Sequence, residues 1–355
     1  MSLEVRAITA AEHRAYVVSR PSVALEQTPG WGKGFVTART ESVGWFDGTT
    51  MVGAGLYRLR GLPRLPMRSV AVFESGPDID WTGTRRPAMT LVDWLDPLVE
   101  HLRNRGAFTA RVSPVVAEQD WWRFDPAART DSKALVRHSP PEPARSARVA
   151  ADRLTDAGWR LMATAPRAFS AEVVLTDSAS ARADIQESRA LLLGTQVRTG
   201  TIDDLPAVHQ AVTEAHRHLP QPSLKEWERR WRGLAEDDFA GVTLLVLERE
   251  GQVVYGGLYA TVGDRAWDLS APLPQPDADR PEVQLLRDQM MSRVRAAGVR
   301  TLFVPVVSPQ RRAPVKAPAP GWPPVHLAQL VGTWHFPVRA TWHGVLSPVV
   351  DHLVL

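Results

Sequence analysis

The chain has 355 residues, a net charge of +3 and 44% hydrophobic residues, a balance typical of a globular protein with one large domain or two smaller ones. It has no cysteine, which excludes disulfides, thiol catalysis, zinc ribbons and iron–sulfur clusters. No apolar run approaches the roughly 20 residues that cross a bilayer, and the first residues lack the pattern of a signal peptide. We therefore expect a cytoplasmic protein.

The first half of the chain predicts alternating strands and helices. A strand around Val5 leads to a helix that Thr9 caps, and an alternating pattern at 43–57 indicates a β-hairpin. A helical pattern then ends at Gly106 and runs into a strand that stops at Pro114. The stretch 125–151, rich in proline, alanine and arginine, predicts a surface connection without helix or central strand.

The second half repeats this order. Thr201 and Asp204 form a capping box, and Ser223 is a second N-cap residue. The predicted elements are a strand around Val197, a helix over 205–216, a helix over 224–234, a hairpin at 244–259, a helix that ends at Gly298 and a strand that ends at Pro305.

A proline-rich stretch at 305–324 follows the last of these strands. It carries three cationic residues, Arg311, Arg312 and Lys316. Two interpretations stay open: a solvated insertion without a role, or a cationic flap that contacts an anionic substrate.

The two halves are related by a nearly constant offset. Gly106 and Gly298 lie 192 positions apart, and Gly55 and Gly257, which each begin a Gly-Leu-Tyr triplet, lie 202 apart. The shared order of strand, helix, hairpin, further strand, long helix and strand is that of a GNAT-type acyltransferase domain. We predict an α+β fold of two tandem GNAT-like domains related by internal duplication.

Neither half carries the glycine-rich turn with which GNAT enzymes hold the pyrophosphate of coenzyme A. The corresponding stretches, 80–87 and 270–281, lack its glycine pattern and contain prolines, which have no N–H to donate. His209, His216 and His218 have no Asp or Glu at a ligand spacing. We therefore predict no acetyl-CoA and no metal.

Several stretches resemble the Fem family of aminoacyl-tRNA-dependent peptidyltransferases, whose members are tandem GNAT-like proteins. The resemblance rests on four stretches, 25–33, 41–48, 74–81 and 94–108. It continues through 153–159, 204–207 and 222–227 and is weaker after Pro305. It covers most of the chain and is most specific in the first 115 residues.

The resemblance implies transfer of an amino acid from aminoacyl-tRNA to an amine of a peptidoglycan precursor, either UDP-MurNAc-pentapeptide or lipid II, without a cofactor. It implies a first domain at 1–168 plus 337–355 that binds this acceptor, and a second domain at 169–336. No transmembrane segment is expected, whereas peripheral contact with a membrane stays open.

Site residues follow from the resemblance position by position. Trp31 and Lys33 match the precursor site, and Arg217 matches an arginine after the first helix of the second copy. Arg311, Arg312 and Lys316 are candidates for contacts with tRNA. No catalytic residue is assigned.

The sequence departs from the family pattern at several positions. Phe35 stands where the family has a second lysine, Ser113 stands where it has an aspartate, and Leu330-Val331 replaces a Phe-Lys pair. Two alternatives therefore stay open: tRNA-dependent aminoacylation of a small natural product, and a Fem-like protein that has lost catalysis and binds a partner or precursor.

Overall fold

The computed structural model describes residues 3–20, 23–35, 39–62, 65–118, 122–124, 135–137, 145–162, 169–175, 194–215, 217, 222–237, 239–270, 281–306, 325–330 and 334–337. Contacts divide the chain into two compact units. Unit 1 comprises Met1–Glu118, Pro143–Pro166 and Leu330–Leu355, and unit 2 comprises Gln119–Glu142 and Arg167–Gln329.

Unit 1 is built on one mixed sheet. Its elements are β1 (Glu4–Ile8), α1 (Ala10–Val18), a 3₁₀ turn (Leu25–Gln27), α2 (Pro29–Gly32), β2 (Arg39–Asp47), β3 (Thr50–Leu62), β4 (Leu65–Val72), α3 (Leu91–Asn104), β5 (Ala107–Val112), β6 (Ala117–Glu118), α4 (Arg145–Asp156), β9 (Arg160–Leu161) and β17 (Trp334–Pro337).

The strands of this sheet lie in the order β1-β2-β3-β4-β5-β17-β9. β4 and β5 pair in parallel through the crossover helix α3, and the other neighbours are antiparallel. The apolar face of α3 packs on the sheet with Trp94, Leu98 and Leu102 fully buried. The Trp45 indole of β2 donates a 2.7 Å hydrogen bond to the Trp94 carbonyl, which fixes helix against strand.

Unit 2 repeats this arrangement. Its elements are β7 (Trp122–Phe124), β8 (Leu135–Arg137), β10 (Phe169–Val174), β11 (Thr195–Thr199), a 3₁₀ turn (Ile202–Asp204), α5 (Leu205–Ala215), α6 (Leu224–Ala235), β12 (Ala240–Arg249), β13 (Gln252–Val262), β14 (Arg265–Asp268), α7 (Pro281–Ala296), β15 (Thr301–Val306) and β16 (Val325–Leu330).

The second sheet has the order β11-β12-β13-β14-β15-β10-β16-β7-β8. Its parallel pair is β14 and β15, joined through α7 as β4 and β5 are joined through α3. Val208 and Val212 of α5, Trp227 of α6 and Met290 of α7 are buried in its core.

The strand registers confirm the internal duplication. Gly55 pairs with Val43 as Gly257 pairs with Leu245, and both hairpins change register two residues beyond this pair. A bulge at the same place in both copies is a specific structural feature rather than a general property of hairpins. The α+β prediction of two tandem GNAT-like domains is confirmed.

The first helix of each copy begins with the same set of contacts. Arg6 bonds to Glu12 at 2.9 Å, and Arg198, 192 positions later, bonds to Asp204 at 2.6 Å. The same carboxylates accept from the backbone N–H of Thr9 at 2.7 Å and of Thr201 at 2.8 Å. Each carboxylate therefore satisfies one of the unpaired N–H groups at a helix start and binds the preceding strand.

The structure changes the expectation for the connecting segment. Stretch 125–151 was predicted to hold no helix and no central strand, but α4 begins at Arg145. β8 lies within the same stretch at the edge of its sheet, in agreement with the second part of the prediction. The prolines end at Pro143, and the following residues are strong helix formers whose Ala147, Ala150 and Leu154 are buried. Composition averaged over the whole stretch concealed this amphipathic pattern.

The unit boundaries also differ from the sequence-based ones. Residues 334–336 were assigned to the second domain, but they pair with β5 and β9 in the sheet of unit 1. Conversely, residues 122–124 pair with β16 in unit 2. In both cases a strand pairs in a different sheet from its neighbours in the sequence, and no local pattern predicts this.

Candidate functional site

The candidate site residues Trp31 and Lys33 lie at the short helix α2. The Thr28 hydroxyl caps this helix by accepting from the Trp31 N–H at 3.4 Å. Trp31 is 6% exposed, so its indole is part of the packed interior. Lys33 is the exposed C-cap residue of the helix. Of the two, Lys33 is the residue that can reach a soluble ligand.

The Gln27 side chain fastens the segment before α2 to β3. Its Oε1 accepts from the Leu56 N–H at 2.8 Å, and its Nε2 donates to the carbonyls of Leu56, at 3.2 Å, and Glu74. β4 pairs with β3 only from Arg58 onward, so none of the described strands pairs with Leu56 on this edge of β3. Because Gln27 is buried, its amide replaces the missing strand partner and sets the position of α2.

Phe35 stands where the family resemblance implies a lysine. Its ring lies under the Arg58 guanidinium, whose carbon is 4.7 Å from the ring centroid. Arg58 also forms an ion pair with Glu74. A cation is thus present beside position 35, although another strand supplies it and a carboxylate partly neutralises it.

A second group of charged residues lies around Asp78, at the same edge of β3. Its backbone pairs with Ala54, and its carboxylate accepts from the Tyr16 hydroxyl at 2.6 Å. Arg85 and Arg20 lie 3.1 and 3.5 Å from the same carboxylate. Burial and the Asp78 charge raise the pKa of Tyr16, so its hydroxyl stays protonated and donates.

A third polar group connects β2, β3 and α3. The Tyr57 hydroxyl donates to Glu41 at 2.7 Å and lies 3.3 Å from Nε2 of His101. Arg105 approaches the same carboxylate at 3.5 Å. Burial and the hydrogen bond to Glu41 raise the pKa of Tyr57, whereas burial and the Arg105 charge lower the pKa of His101. The imidazole is therefore neutral at pH 7.

The loop before α3 does not offer its backbone to a phosphate. The buried Asp80 carboxylate accepts from the N–H groups of Thr84, at 3.0 Å, and Arg86, at 2.7 Å. At the start of α3, the Asp93 carboxylate accepts from the Thr90 N–H at 2.7 Å. Carboxylates therefore already engage three backbone N–H groups of the region where a GNAT enzyme binds a pyrophosphate. This supports the sequence-based argument against coenzyme A in unit 1.

Known structures identify the architecture. No protein-family model and no curated protein matches the sequence. FemX matches it in structure with a TM-score of 0.69 at 13% sequence identity, over 98% of this chain and 99% of FemX. The chain has a FemX-like tandem GNAT fold. A tandem GNAT protein from the clavulanic acid biosynthesis pathway gives a TM-score of 0.54 at 13% identity, over 96% of this chain and all of the other.

The FemX-like fold places the predicted site residues in different parts of the chain. Trp31 and Lys33 lie in unit 1, and Arg217 is an exposed turn residue after α5 in unit 2. Arg311, Arg312 and Lys316 lie outside the described residues, as does Val331. Leu330 is the last residue of β16.

Two absences hold for the part of the chain that the structure describes. No group of three or more His, Cys, Asp or Glu side chains is placed to hold a metal ion among those residues. No helix within the same residues combines the length and apolar character needed to span a bilayer.

Sequence reasoning missed the charged residues near β3, above all Arg58, Glu74 and Asp78. Alternation along β3 places Arg58 on one face, but its partner is 16 positions away and on another strand. The Tyr16 contact with Asp78 spans 62 positions. These contacts join residues far apart in the sequence, which a pattern within one segment does not reveal.

Proposed function

We propose that the protein is a Fem-type aminoacyltransferase that moves an amino acid from aminoacyl-tRNA to an amine of a peptidoglycan precursor. The observation that carries the proposal is the likeness to FemX over both units, 98% of this chain and 99% of that one. A cytoplasmic location, where charged tRNA is made, is part of the proposal.

The reaction is aminolysis of an ester. The acceptor nitrogen forms an amide bond to the carbonyl carbon, the ester bond to the terminal ribose breaks, and the proton lost by the amine ends on the departing ribose oxygen. The ester is already activated, so the protein's part is to align two substrates and stabilise the tetrahedral oxyanion.

Lys33 is the residue we assign to the anionic part of the precursor. It is exposed at the end of α2, and Arg58 lies beside Phe35 two positions further along the chain. A diphosphate carries several oxygens that accept charge-assisted hydrogen bonds from such cations. Trp31, which is buried, holds the backbone of α2 in this proposal rather than stacking on a ligand.

The tRNA is assigned to the cations of unit 2. Arg217 is exposed there, and Arg311, Arg312 and Lys316 follow β15 along the chain. Binding through phosphates and the unpaired 3′ end needs cations rather than base readout, and it weakens as salt rises. The N–H groups of Thr84 and Arg86 are engaged by Asp80, which disfavours an acyl-CoA donor in unit 1.

The test is transfer of a radiolabelled amino acid from a pool of charged tRNAs to UDP-MurNAc-pentapeptide or lipid II. We expect a labelled precursor whose formation requires intact aminoacyl-tRNA and stops after ribonuclease treatment. Precursor binding without transfer from any charged tRNA would favour a Fem-like binding protein and contradict the enzyme.

A second candidate is aminoacylation of a small natural product. It is supported by the likeness to a tandem GNAT protein from the clavulanic acid biosynthesis pathway, which covers 96% of this chain. The same charged-tRNA assay distinguishes the two with a panel of small amines as acceptors. Transfer to a small amine, and none to the precursors, would replace the first proposal with this one.

A further inference from the structure

The Gln27 amide packs against Gly76, the residue that admits it to the interior of unit 1. A Cβ added to Gly76 would overlap the amide, with Oε1 of Gln27 only 2.6 Å away. The Gly76 carbonyl accepts from the Ser113 N–H at 3.1 Å, which ties this segment to the residue that follows β5. Gln27 itself is 1% exposed. Packing therefore fixes the amide in one place, in addition to its hydrogen bonds.

The hydrogen-bond partners of the amide are backbone groups of two other segments. Its Oε1 accepts from the Leu56 N–H, and its Nε2 donates to the carbonyls of Leu56 and Glu74. A primary amide has two N–H donors and one oxygen acceptor, so both of its polar atoms are engaged. Because it is buried and engaged in this way, Gln27 acts on its surroundings rather than on a ligand.

Gln27 holds one cation of the candidate site through α2. The Thr28 hydroxyl, next along the chain, caps this helix. A Cβ on Gly32 would lie 3.1 Å from Cδ2 of Leu56, so the helix rests closely on that side chain. Leu56 thus contacts Gln27 through its backbone and α2 through its side chain. Lys33 directly follows Gly32, and its place in unit 1 depends on these contacts.

The same amide holds a second cation through Glu74. The Glu74 carbonyl accepts from Nε2 of Gln27, and the Glu74 carboxylate forms the ion pair with Arg58. Arg58 follows Leu56 by two positions on β3, and its guanidinium carbon lies 4.7 Å from the Phe35 ring centroid. One buried side chain therefore contacts both of the segments that determine where the guanidinium lies.

We propose that Gln27 is the positioning residue of the acceptor site, because it sets the separation between Lys33 and Arg58. The inference rests on the proposed function, in which these two cations bind the diphosphate of the precursor. The charges of a diphosphate lie at a fixed distance from each other, so two cations bind it together only when their own spacing matches. A site that is ordered before the ligand arrives also loses less conformational entropy on binding.

A purely stabilising role for Gln27 predicts something different. A buried amide with satisfied hydrogen bonds contributes to stability in either role, so a lower melting temperature alone does not distinguish them. A stabilising role predicts unchanged acceptor affinity as long as the protein is folded. A positioning role predicts weaker acceptor binding by a folded protein, without an effect on the second substrate.

The test is Gln27→Met, which keeps the length of the side chain and removes all three hydrogen bonds. The full chain is assayed below the melting temperature of the variant, with circular dichroism as the check of its fold. We expect the Michaelis constant and the calorimetric dissociation constant for the precursor to rise about 10-fold or more. The Michaelis constant for aminoacyl-tRNA should change by less than about 2-fold. Unchanged constants for the precursor would overturn the proposal.

Gly76→Ala tests the same inference without altering Gln27, and it decides the matter if Gln27→Met does not fold. The added Cβ displaces the amide, so we expect the same selective loss of precursor affinity. Gly44→Ala is the matched control, because its Cβ would lie 2.9 Å from the side chains of Ile8 and Phe46 instead. We expect it to lower the melting temperature and to keep the precursor affinity of the parent. Equal losses of affinity in the two glycine variants would contradict a specific role of Gln27.

The same measurements separate this inference from the proposed function. If the parent neither binds UDP-MurNAc-pentapeptide or lipid II nor transfers to them, the proposed acceptor is wrong and the inference falls with it. If the parent binds and transfers, and Gln27→Met and Gly76→Ala share its constants, the proposed function stands and only the positioning role is rejected.

Discussion

Gly55 and Gly257 occupy the same register position in the two hairpins, but a Cβ added at Gly55 would overlap packed atoms, whereas one added at Gly257 would make only ordinary contacts. A Cβ on Gly257 would have its nearest neighbours at 3.5 and 3.6 Å, which is ordinary van der Waals contact. We expect Gly55→Ala to lower the free energy of unfolding by about 2 kcal/mol through overpacking, and Gly257→Ala to change it by less than about 0.5 kcal/mol.

The two variants are each other's control, because strand, register and substitution are the same. Urea denaturation followed by tryptophan fluorescence measures both. Similar losses in the two variants would show that the region around Gly257 is as tightly filled as that around Gly55.

His13 should make stability depend on pH. Its ring is 1% exposed, its Nδ1 lies 2.8 Å from the Ser42 hydroxyl, and burial lowers its pKa to about 4. The unfolded chain, with a pKa of about 6.5, binds the proton more readily, so stability is lost as pH falls below about 6.5 and the loss levels off below about 4. At pH 5.5 this group alone should cost about 1.4 kcal/mol relative to pH 8.

His13→Asn tests this dependence, because the Asn amide can keep the contact with Ser42 but does not titrate. We expect its unfolding free energy to fall less than that of the parent between pH 8 and pH 5.5, by about 1.4 kcal/mol. His101, whose pKa is also lowered, keeps its smaller contribution in both proteins. Parallel pH profiles for parent and variant would exclude His13 as the cause.

Asp204 combines a helix cap with an ion pair. Its carboxylate accepts from the Thr201 N–H at 2.8 Å and from both terminal nitrogens of Arg198, at 2.6 and 2.9 Å. Arg198 is more than one third exposed, so solvent screens the pair and most of the effect comes from the cap. We expect Asp204→Ala to cost about 1–2 kcal/mol, and Asp203→Ala, its exposed neighbour, less than about 0.5 kcal/mol, by urea denaturation.

Lys33→Ala tests the proposed precursor site. The fold should be unchanged, because the side chain is exposed, and the Michaelis constant for the precursor should rise about 10-fold or more with little change in the constant for aminoacyl-tRNA. Lys225→Ala, an exposed lysine at the start of α6, is the matched control. An unchanged Michaelis constant in Lys33→Ala would reject this role.

Much of the fold was readable from local patterns. The helix predicted over 224–234 is α6, Leu224–Ala235, with Ser223 as its cap, and the helix predicted over 205–216 is α5, Leu205–Ala215. Glycines at equal offsets marked the repeat. These features depend on neighbours within a few positions, which is the range over which sequence patterns act.

The candidate sites were less readable, because they depend on pairing between distant segments. The same limit applies to buried charged residues outside these sites, such as Arg287 of α7, which reads as one more arginine in a chain that has 42 basic residues. Its correspondence with Leu95 is visible only when the two crossover helices are aligned with each other. The same holds for Asp268, which looks like a residue that simply ends β14.

The position of β17 in the sequence affects when the sheet of unit 1 can be completed during synthesis. Unit 2 takes its described strands from residues 122 to 330, whereas the sheet of unit 1 has Trp334–Pro337 between β5 and β9. The Thr109 hydroxyl on β5 donates to the Phe336 carbonyl at 2.9 Å, and the Trp159 and Phe336 rings lie 5.4 Å apart. A ribosome therefore releases the partner of β5 only after every described strand of unit 2 has been made, so the sheet of unit 1, whose first strands are translated first, cannot be completed before then.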